Sequence, residues 1–240
     1  MKSRTLSACL IVLACIFTSC EKETIRVSGK VVQREVNLSG YSGLKVSNAF
    51  NVVLNFSETE ETIIVEANED IQDRIVVELQ GNDLIVRLKR YTRIRGSATL
   101  NVYITTRHID HYDVSGASDI ALDDDLIADN ARIELSGASS FTGELSVDQL
   151  DLEFSGASDA DIYGNADVMR GNLSGESILR DYDLHVGRLN LHLSGASNAF
   201  LTTMEEIDIT ASGASTLNYK GNAVVTHKDL SGASKINKKD

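Results

Sequence analysis

Ser115-Gly116-Ala117-Ser118 returns as Ser136-Gly137-Ala138-Ser139, Ser155-Gly156-Ala157-Ser158 and Ser174-Gly175-Glu176-Ser177. It returns again as Ser194-Gly195-Ala196-Ser197, Ser212-Gly213-Ala214-Ser215 and Ser231-Gly232-Ala233-Ser234. The first serines are spaced 21, 19, 19, 20, 18 and 19 residues apart. A repeat of this period marks a stack of similar units, each too small to bury its own apolar face. Working outward, the residue before each motif is Val114, Leu135, Phe154, Leu173, Leu193, Ala211 or Leu230, all apolar. The residue before that is Asp113, Glu134, Glu153, Asn172, His192, Thr210 or Asp229, all polar. Three before the motif the column is mostly apolar again: Tyr112, Ile133, Leu152, Gly171, Leu191, Ile209 and Lys228. Two residues past each motif stand Ile120, Phe141, Ala160, Leu179, Ala199, Leu217 and Ile236.

Alternation with period two is the mark of a half-buried strand, and helical spacing is absent from the repeats. Each repeat therefore predicts a strand entering the motif, a tight bend at glycine and a short strand leaving it. Stacked about 4.8 Å apart, seven such coils make an all-β solenoid roughly 34 Å long. Glycine reaches positive φ at little cost, serine hydroxyls bond nearby backbone or each other up the stack, and alanine is small where backbones crowd. Two readings of the motif follow, a serine ladder offered as a binding face or a turn-and-stack device, and the second is preferred. Glu176 in the alanine column implies that this column is not deep core, or that the chain bulges there.

Residues 25–36 read as a strand, and 38–110 as a β-meander of longer strands leading into the repeats at 111–240. Asn51–Phe56 and Thr62–Glu66 flank a polar run and suggest a hairpin-like pair. Ile75–Leu79 and Leu84–Leu88 around Gly81-Asn82-Asp83 suggest a clearer one. Glu69–Arg74 fits one helical turn, and Leu100–Thr106 alternates well. The meander would cover the first coil and hide an open sheet edge. Lys235, Lys238 and Lys239 would blunt the edge at the other end.

At the N-terminus, Lys2 and Arg4 precede the apolar run Leu6–Phe17, which is too short to span a bilayer and fits a secretory signal peptide. Phe17-Thr18-Ser19-Cys20 resembles a bacterial lipobox, with Phe17 where leucine is usual. That resemblance implies a lipoprotein signal peptide over 1–19 and Cys20 as the acylated first residue of the mature chain. Residues 20–37 are then a lipidated tether and first strand, and the partner they imply is the membrane. Acidic Glu21 and Glu23 after the cysteine hint at export to the cell surface. The cysteines are Cys9, Cys15 and Cys20, so a mature chain beginning at Cys20 has no disulfide, cysteine metal site or thiol nucleophile. The net charge is −12, and −14 without Lys2 and Arg4, which argues against nucleic acid. It also disfavours electrostatic docking on anionic lipid and leaves membrane attachment to the acyl chains.

The stretch Leu44-Lys45-Val46-Ser47-Asn48-Ala49-Phe50-Asn51-Val52-Val53-Leu54, with the later hairpins and Ser-Gly-Ala-Ser coils, resembles the family described as "putative auto-transporter adhesin, head GIN domain" over roughly residues 38–220. The resemblance implies an all-β architecture with a right-handed β-helix portion, and an envelope setting typical of Bacteroides-type lipoproteins. It carries no catalytic residues.

Candidate chemistry is sparse. His108 and His111 lie among carboxylates, but on a strand their spacing puts them on opposite faces. His185, His192 and His227 fall at unrelated positions in the repeat. Asp123-Asp124-Asp125 and Asp159-x-Asp161 with Gly164 are incomplete as calcium loops. No metal and no cofactor is expected, and a serine in every coil is not a catalytic serine. Two function classes remain. One is a non-enzymatic envelope lipoprotein acting as an adhesin-like binding or structural module at the outer membrane, on its surface or periplasmic side, with a host or envelope glycan or protein as partner. The other is a β-helical polysaccharide lyase or hydrolase. The second needs a basic residue and convergent carboxylates on one face, and the repeat arginines and lysines (Arg132, Arg170, Arg180, Arg188, Lys220, Lys228) do not recur in a column by this reading. The chain also lacks Trp, the strongest stacking platform for sugars.

Overall fold

The computed structural model describes residues 23–240. The signal segment and Cys20 lie outside them. Ahead of the first Ser-Gly-Ala-Ser motif run β1 (Glu23–Arg26), β2 (Val31–Val36), β3 (Gly43–Val46), β4 (Asn51–Phe56), β5 (Thr62–Asn68), a 3-10 helix at Glu69–Arg74, β6 (Ile75–Gln80), β7 (Asp83–Leu88), β8 (Thr92–Arg95) and β9 (Leu100–Thr106). The repeats supply β10 (His111–Val114), β11 (Asp119–Leu122), β12 (Leu126–Leu135), β13 (Ser140–Phe154), β14 (Asp159–Leu173), β15 (Ile178–Arg180), β16 (Leu184–Leu193), β17 (Asn198–Ala211), β18 (Thr216–Lys220), β19 (Val224–Leu230) and β20 (Lys235–Lys238). They form a β-solenoid of about 7 coils about 19 residues apart, as the repeat requires.

Strands entering the motifs pair in parallel from coil to coil. Tyr112 aligns with Ile133, Ile133 with Leu152, Leu152 with Gly171, Gly171 with Leu191 and Leu191 with Ile209. Those side chains are buried, and the polar residues between them face out. The strands leaving the motifs stack the same way, with Ile120 on Phe141, Phe141 on Ala160 and Ala160 on Leu179. The interior is one continuous apolar column, in which the Tyr112 and Phe141 rings meet edge-on at 5.1 Å. The Tyr112 hydroxyl donates to the Ile109 carbonyl at 3.0 Å, which satisfies the buried phenol.

The register also runs upstream of residue 111. β3 pairs in parallel with β10, and β4 with β11, so Ser47-Asn48-Ala49-Phe50 sits over Ser115-Gly116-Ala117-Ser118 as a further layer. Beyond it, β7 extends the entering side and carries β6 as an antiparallel hairpin partner, as the Gly81-Asn82-Asp83 turn predicts. The expected pairing of Asn51–Phe56 with Thr62–Glu66 is not formed. β9 inserts between β4 and β5, parallel to the first and antiparallel to the second, and β2 then closes that edge. The run 25–36 is likewise two strands, because β1 leaves the large sheet to pair with β8.

The motif itself is a turn. Gly156 has φ +79, and a Cβ there would lie 2.4 Å from the Gly137 carbonyl oxygen, so both the backbone conformation and the stack require glycine. That oxygen accepts the Ala157 amide at 2.7 Å, and the same bond recurs from Glu176, Ala196, Ala214 and Ala233 to the glycine one coil back. The fourth residue of the motif is buried in Ser118, Ser139, Ser158, Ser177, Ser197 and Ser215. From Ser139 onward its hydroxyl donates to the carbonyl of the first serine of its own turn, at 2.6–2.8 Å. These serines therefore close turns within a coil; they do not bond each other up the stack. The alanine column, with Glu176, is exposed at the turn tip.

The 21- and 20-residue spacings are absorbed at one corner, whereas later coils shift register between Val186 and Arg188 and between Ile207 and Asp208. Between aligned pairs, the first coil has Leu122-Asp123-Asp124-Asp125 where the next has Gly143-Glu144, which accounts for the 21-residue spacing. The 20-residue coil has Asp181-Tyr182-Asp183 where its predecessor has Ile162-Tyr163. Extra residues at a corner leave the strand register on either side intact, whereas one inside a strand would turn every later apolar side chain outward.

Candidate binding face

The outward residues of the entering strands make a continuous polar strip. One register column runs Lys45, Asp113, Glu134, Glu153, Asn172, His192. Beside it runs His111, Arg132, Asp151, Arg170, Asn190. Arg132 and Arg170 thus share a column with Asp151 between them, contrary to the expectation that the repeat cations do not recur in one. The signal was available in the sequence, since each stands four residues before the first serine of its motif. A shallow groove crosses the strip, lined by Arg132, Glu153, Arg170, Asn172, Asn190 and His192.

Charges on the strip are cross-linked. Arg132 Nε donates to Glu134 Oε1 at 2.5 Å, and Arg132 Nη2 lies 3.0 Å from Glu153 Oε2. Arg170 Nη1 donates to Gln149 Oε1 at 3.2 Å and lies 3.6 Å from Asp151 Oδ1. His111 Nε2 is 3.5 Å from Glu134 Oε1. Burial pushes the Asp113 carboxyl up, and the neighbouring Glu134 charge adds to this. Burial acts on Glu134 in the same direction, but hydrogen bonding and charge from Arg132, with His111, outweigh it and hold that carboxyl below its usual range. The bond to Glu134 raises the Arg132 pKa further. An arginine tied into ion pairs is the reverse of what a proton-abstracting base needs, and this strip gives no support to lyase chemistry.

The strand leaving the motif presents a second hydrogen-bonded ladder near the N-terminal end. Gln33 Nε2 donates to Glu66 at 2.9 Å, Asn101 Nδ2 donates to Glu66 at 2.9 Å, and Asn51 Nδ2 donates to Asn101 Oδ1 at 3.1 Å. Those two donors, Gln33 first, hold the Glu66 pKa down.

The other candidates are structural. His108 lies 3.4 Å from Asp110, whereas His111 faces Glu134, so the two imidazoles do not converge. Asp124 Oδ2 accepts the Phe56 amide at 2.9 Å, which makes the acidic loop a cap on the end of β4. Asp159 forms a two-nitrogen fork with Arg180, the planar pairing that guanidinium favours. Gly164, at φ +105, lets the backbone turn the corner against the Leu145 carbonyl. Among the described residues, no group of three or more His, Cys, Asp or Glu is arranged to hold a metal ion.

Solved structures share this fold. A protein described as a "putative adhesin" from Bacteroides fragilis NCTC 9343 superposes with TM-score 0.80 at 19% identity, covering 90% of this chain and 100% of its own. A "putative lipid binding protein" from Parabacteroides distasonis ATCC 8503 gives 0.75 at 15%, covering 91% and 100%. A "putative adhesin" from Parabacteroides merdae ATCC 43184 gives 0.72 at 16%, covering 90% and 99%. At such identities the likeness shows the fold alone. No curated protein sequence matches the chain. A family model spans residues 40–223, from the layer upstream of the first motif to the penultimate coil, and the chain belongs to the family it describes, "Putative auto-transporter adhesin, head GIN domain".

Proposed function

We propose that this protein is a non-enzymatic, lipid-anchored envelope module that binds a polyhydroxylated ligand, a host or envelope glycan, along the entering-strand strip. One observation carries the reading: carboxylates, amides and guanidiniums stand side by side in two register columns over successive coils. Such a strip offers acceptors and donors at the repeat of the coil, about 4.8 Å, and suits a ligand that itself repeats. The family's description as an adhesin supports a binding role. The paired arginines favour binding over catalysis. Anchorage rests on the Phe17-Thr18-Ser19-Cys20 run, because more than one acyl chain makes a stable anchor.

The test is a glycan array probed with the protein and with an Arg170→Ala/Glu153→Ala variant. Binding of a glycan by the parent that the variant loses is the expected result. Equal binding by both would overturn the assignment of the strip. Release of unsaturated sugar from an acidic polysaccharide would replace it with the lyase reading. The anchor is tested separately by Cys20→Ser, which should leave the membrane fraction or remain unprocessed.

A further inference from the structure

The acidic net charge is unevenly distributed, and its exception lies at the N-terminal end. β1 and β8 form a two-stranded parallel ribbon separate from the large sheet. Residues paired across parallel strands share a face, so Ile25 and Ile94 turn onto the core while Arg26, Arg93 and Arg95 share the opposite, exposed face. Lys89 and Arg90 precede β8 and are also exposed. Between them and the strand stands Tyr91, 61% exposed and held at φ +66, a left-handed conformation that tyrosine rarely adopts.

Elsewhere the molecule neutralises many of its cations. Lys30 pairs with Glu69, Lys45 with Asp83, Arg87 with Glu78, Arg107 with Glu58, Arg132 with Glu134 and Arg180 with Asp159. Among the described residues, Arg26, Lys89, Arg90, Arg93 and Arg95 take part in no such pair. Two of the three acidic residues of the adjoining 3-10 helix are otherwise engaged, Glu69 by Lys30 and Asp70 by the Ser28 amide; the third is Asp73. Five cations and an exposed aromatic ring are therefore gathered on the ribbon and the turn that leads into it, and among the described residues none of the five takes part in an ion pair.

The chain leading into this surface indicates what it faces. β1 begins at Glu23, three residues after Cys20, which allows at most about 11 Å of extended chain. We propose that the β1–β8 ribbon is a membrane-contact surface, whose guanidinium and ammonium groups bind the phosphates of anionic phospholipid headgroups while Tyr91 sits at the interface between headgroups and acyl chains. Tyrosine favours that zone because its ring is apolar and its hydroxyl is wet. Cations held near an anionic surface act within a Debye length, so net charge over the whole chain does not cancel them. The proximity of the bilayer rests on the anchor reading above; the charge distribution does not. With the ribbon on the membrane, the N-terminal cap is the proximal end of the rod, and the glycan-binding strip extends away from it.

The protein has no tryptophan, so Tyr91→Trp in the full chain supplies a single reporter. The membrane-extracted protein is reconstituted into vesicles of phosphatidylcholine alone or with about one third phosphatidylglycerol, each containing brominated lipid, and tryptophan quenching is read with flotation. Quenching should be strong in the anionic vesicles, weak in the neutral ones, and reduced by added salt. Replacing Arg26, Arg93 and Arg95 by Gln should weaken the contact on the order of a hundredfold. The same change at Lys235, Lys238 and Lys239, at the far end, should leave it unaltered. Quenching that is equal in the two vesicles, or unchanged by the triple Arg→Gln variant, overturns the proposal. Failure of the anchor is a different result: the protein no longer floats with neutral vesicles, while a working ribbon still carries it to anionic ones. Stronger binding to an RNA homopolymer than to anionic vesicles would assign the cations to another polyanion and also overturn it.

Discussion

The Gly137 carbonyl oxygen accepts a 2.7 Å hydrogen bond from the Ala157 amide, on the side of the turn where Gly156 stacks. The Gly116 carbonyl points the opposite way along the stack and accepts the Ala49 amide at 3.0 Å. The ladder of turn peptides therefore reverses between the first and second Ser-Gly-Ala-Ser turns. The backbone angles record the change: Gly116 and Ala117 both have positive φ, as do Asn48 and Ala49, whereas from Gly137 onward only the glycine does.

The first prediction compares two glycines of nearly equal φ. Gly137 and Gly156 have φ of +77 and +79, but a Cβ at Gly137 meets its nearest neighbour at 3.4 Å and one at Gly156 meets the Gly137 oxygen at 2.4 Å. Gly137→Ala should cost about 1–2 kcal/mol, the strain of the left-handed conformation alone. Gly156→Ala should cost distinctly more, because the stack must open. Denaturant unfolding of the two variants measures the difference, and equal losses would refute a separate stacking contribution.

A second comparison tests the reversal of the ladder. Ala117→Gly should stabilise by roughly 0.5–1 kcal/mol, since a non-glycine residue there holds φ +64. Ala138→Gly occupies the same motif position without positive φ and should destabilise by about 0.4–1 kcal/mol through added freedom in the unfolded chain. Opposite signs in thermal unfolding are the expected outcome, and shifts of the same sign count against the change of turn.

Tyr112 supplies a pH test. It is fully buried, and burial pushes its phenol well above the ordinary value of 10.0, with Asp110 contributing further. A raised folded-state pKa means that stability from the neutral phenol is fully present below pH about 10, where the unfolded chain begins to ionise, and declines as pH rises further. Tyr112→Phe loses the bond to Ile109 and should cost about 0.5–1.5 kcal/mol near neutrality. It should also flatten the fall in stability above pH about 10, as read by unfolding at a series of alkaline pH values.

Asp124→Ala removes the acceptor for the Phe56 amide and should cost about 1 kcal/mol, read as a lowered unfolding midpoint. Because this carboxylate serves the backbone, thermal unfolding with and without a calcium chelator should coincide. A chelator-induced drop of many degrees would return the acidic loop to the role of an ion site.

Much of this molecule is written locally. Burial along Tyr112 and Val114, Ile133 and Leu135, or Leu152 and Phe154 follows from alternation in the chain, because a strand's period of two fixes which side chains turn inward. The glycine requirement follows from the spacing of the motif, and the Arg132–Asp151–Arg170 column stands in the sequence at a constant offset from it. Pairing between segments far apart in sequence is different, because it depends on which sheet edge is free when the chain returns. β9 arrives between β4 and β5 and breaks the hairpin that their proximity suggests, and the direction of the Gly116 peptide depends on the layer above it. Charge shows the same division. Composition determined the net −12 and its disfavour toward polyanions, but only tertiary structure decided that Arg26 would lie beside Arg95 on one exposed face, since the two strands that meet there are separated by most of the N-terminal cap.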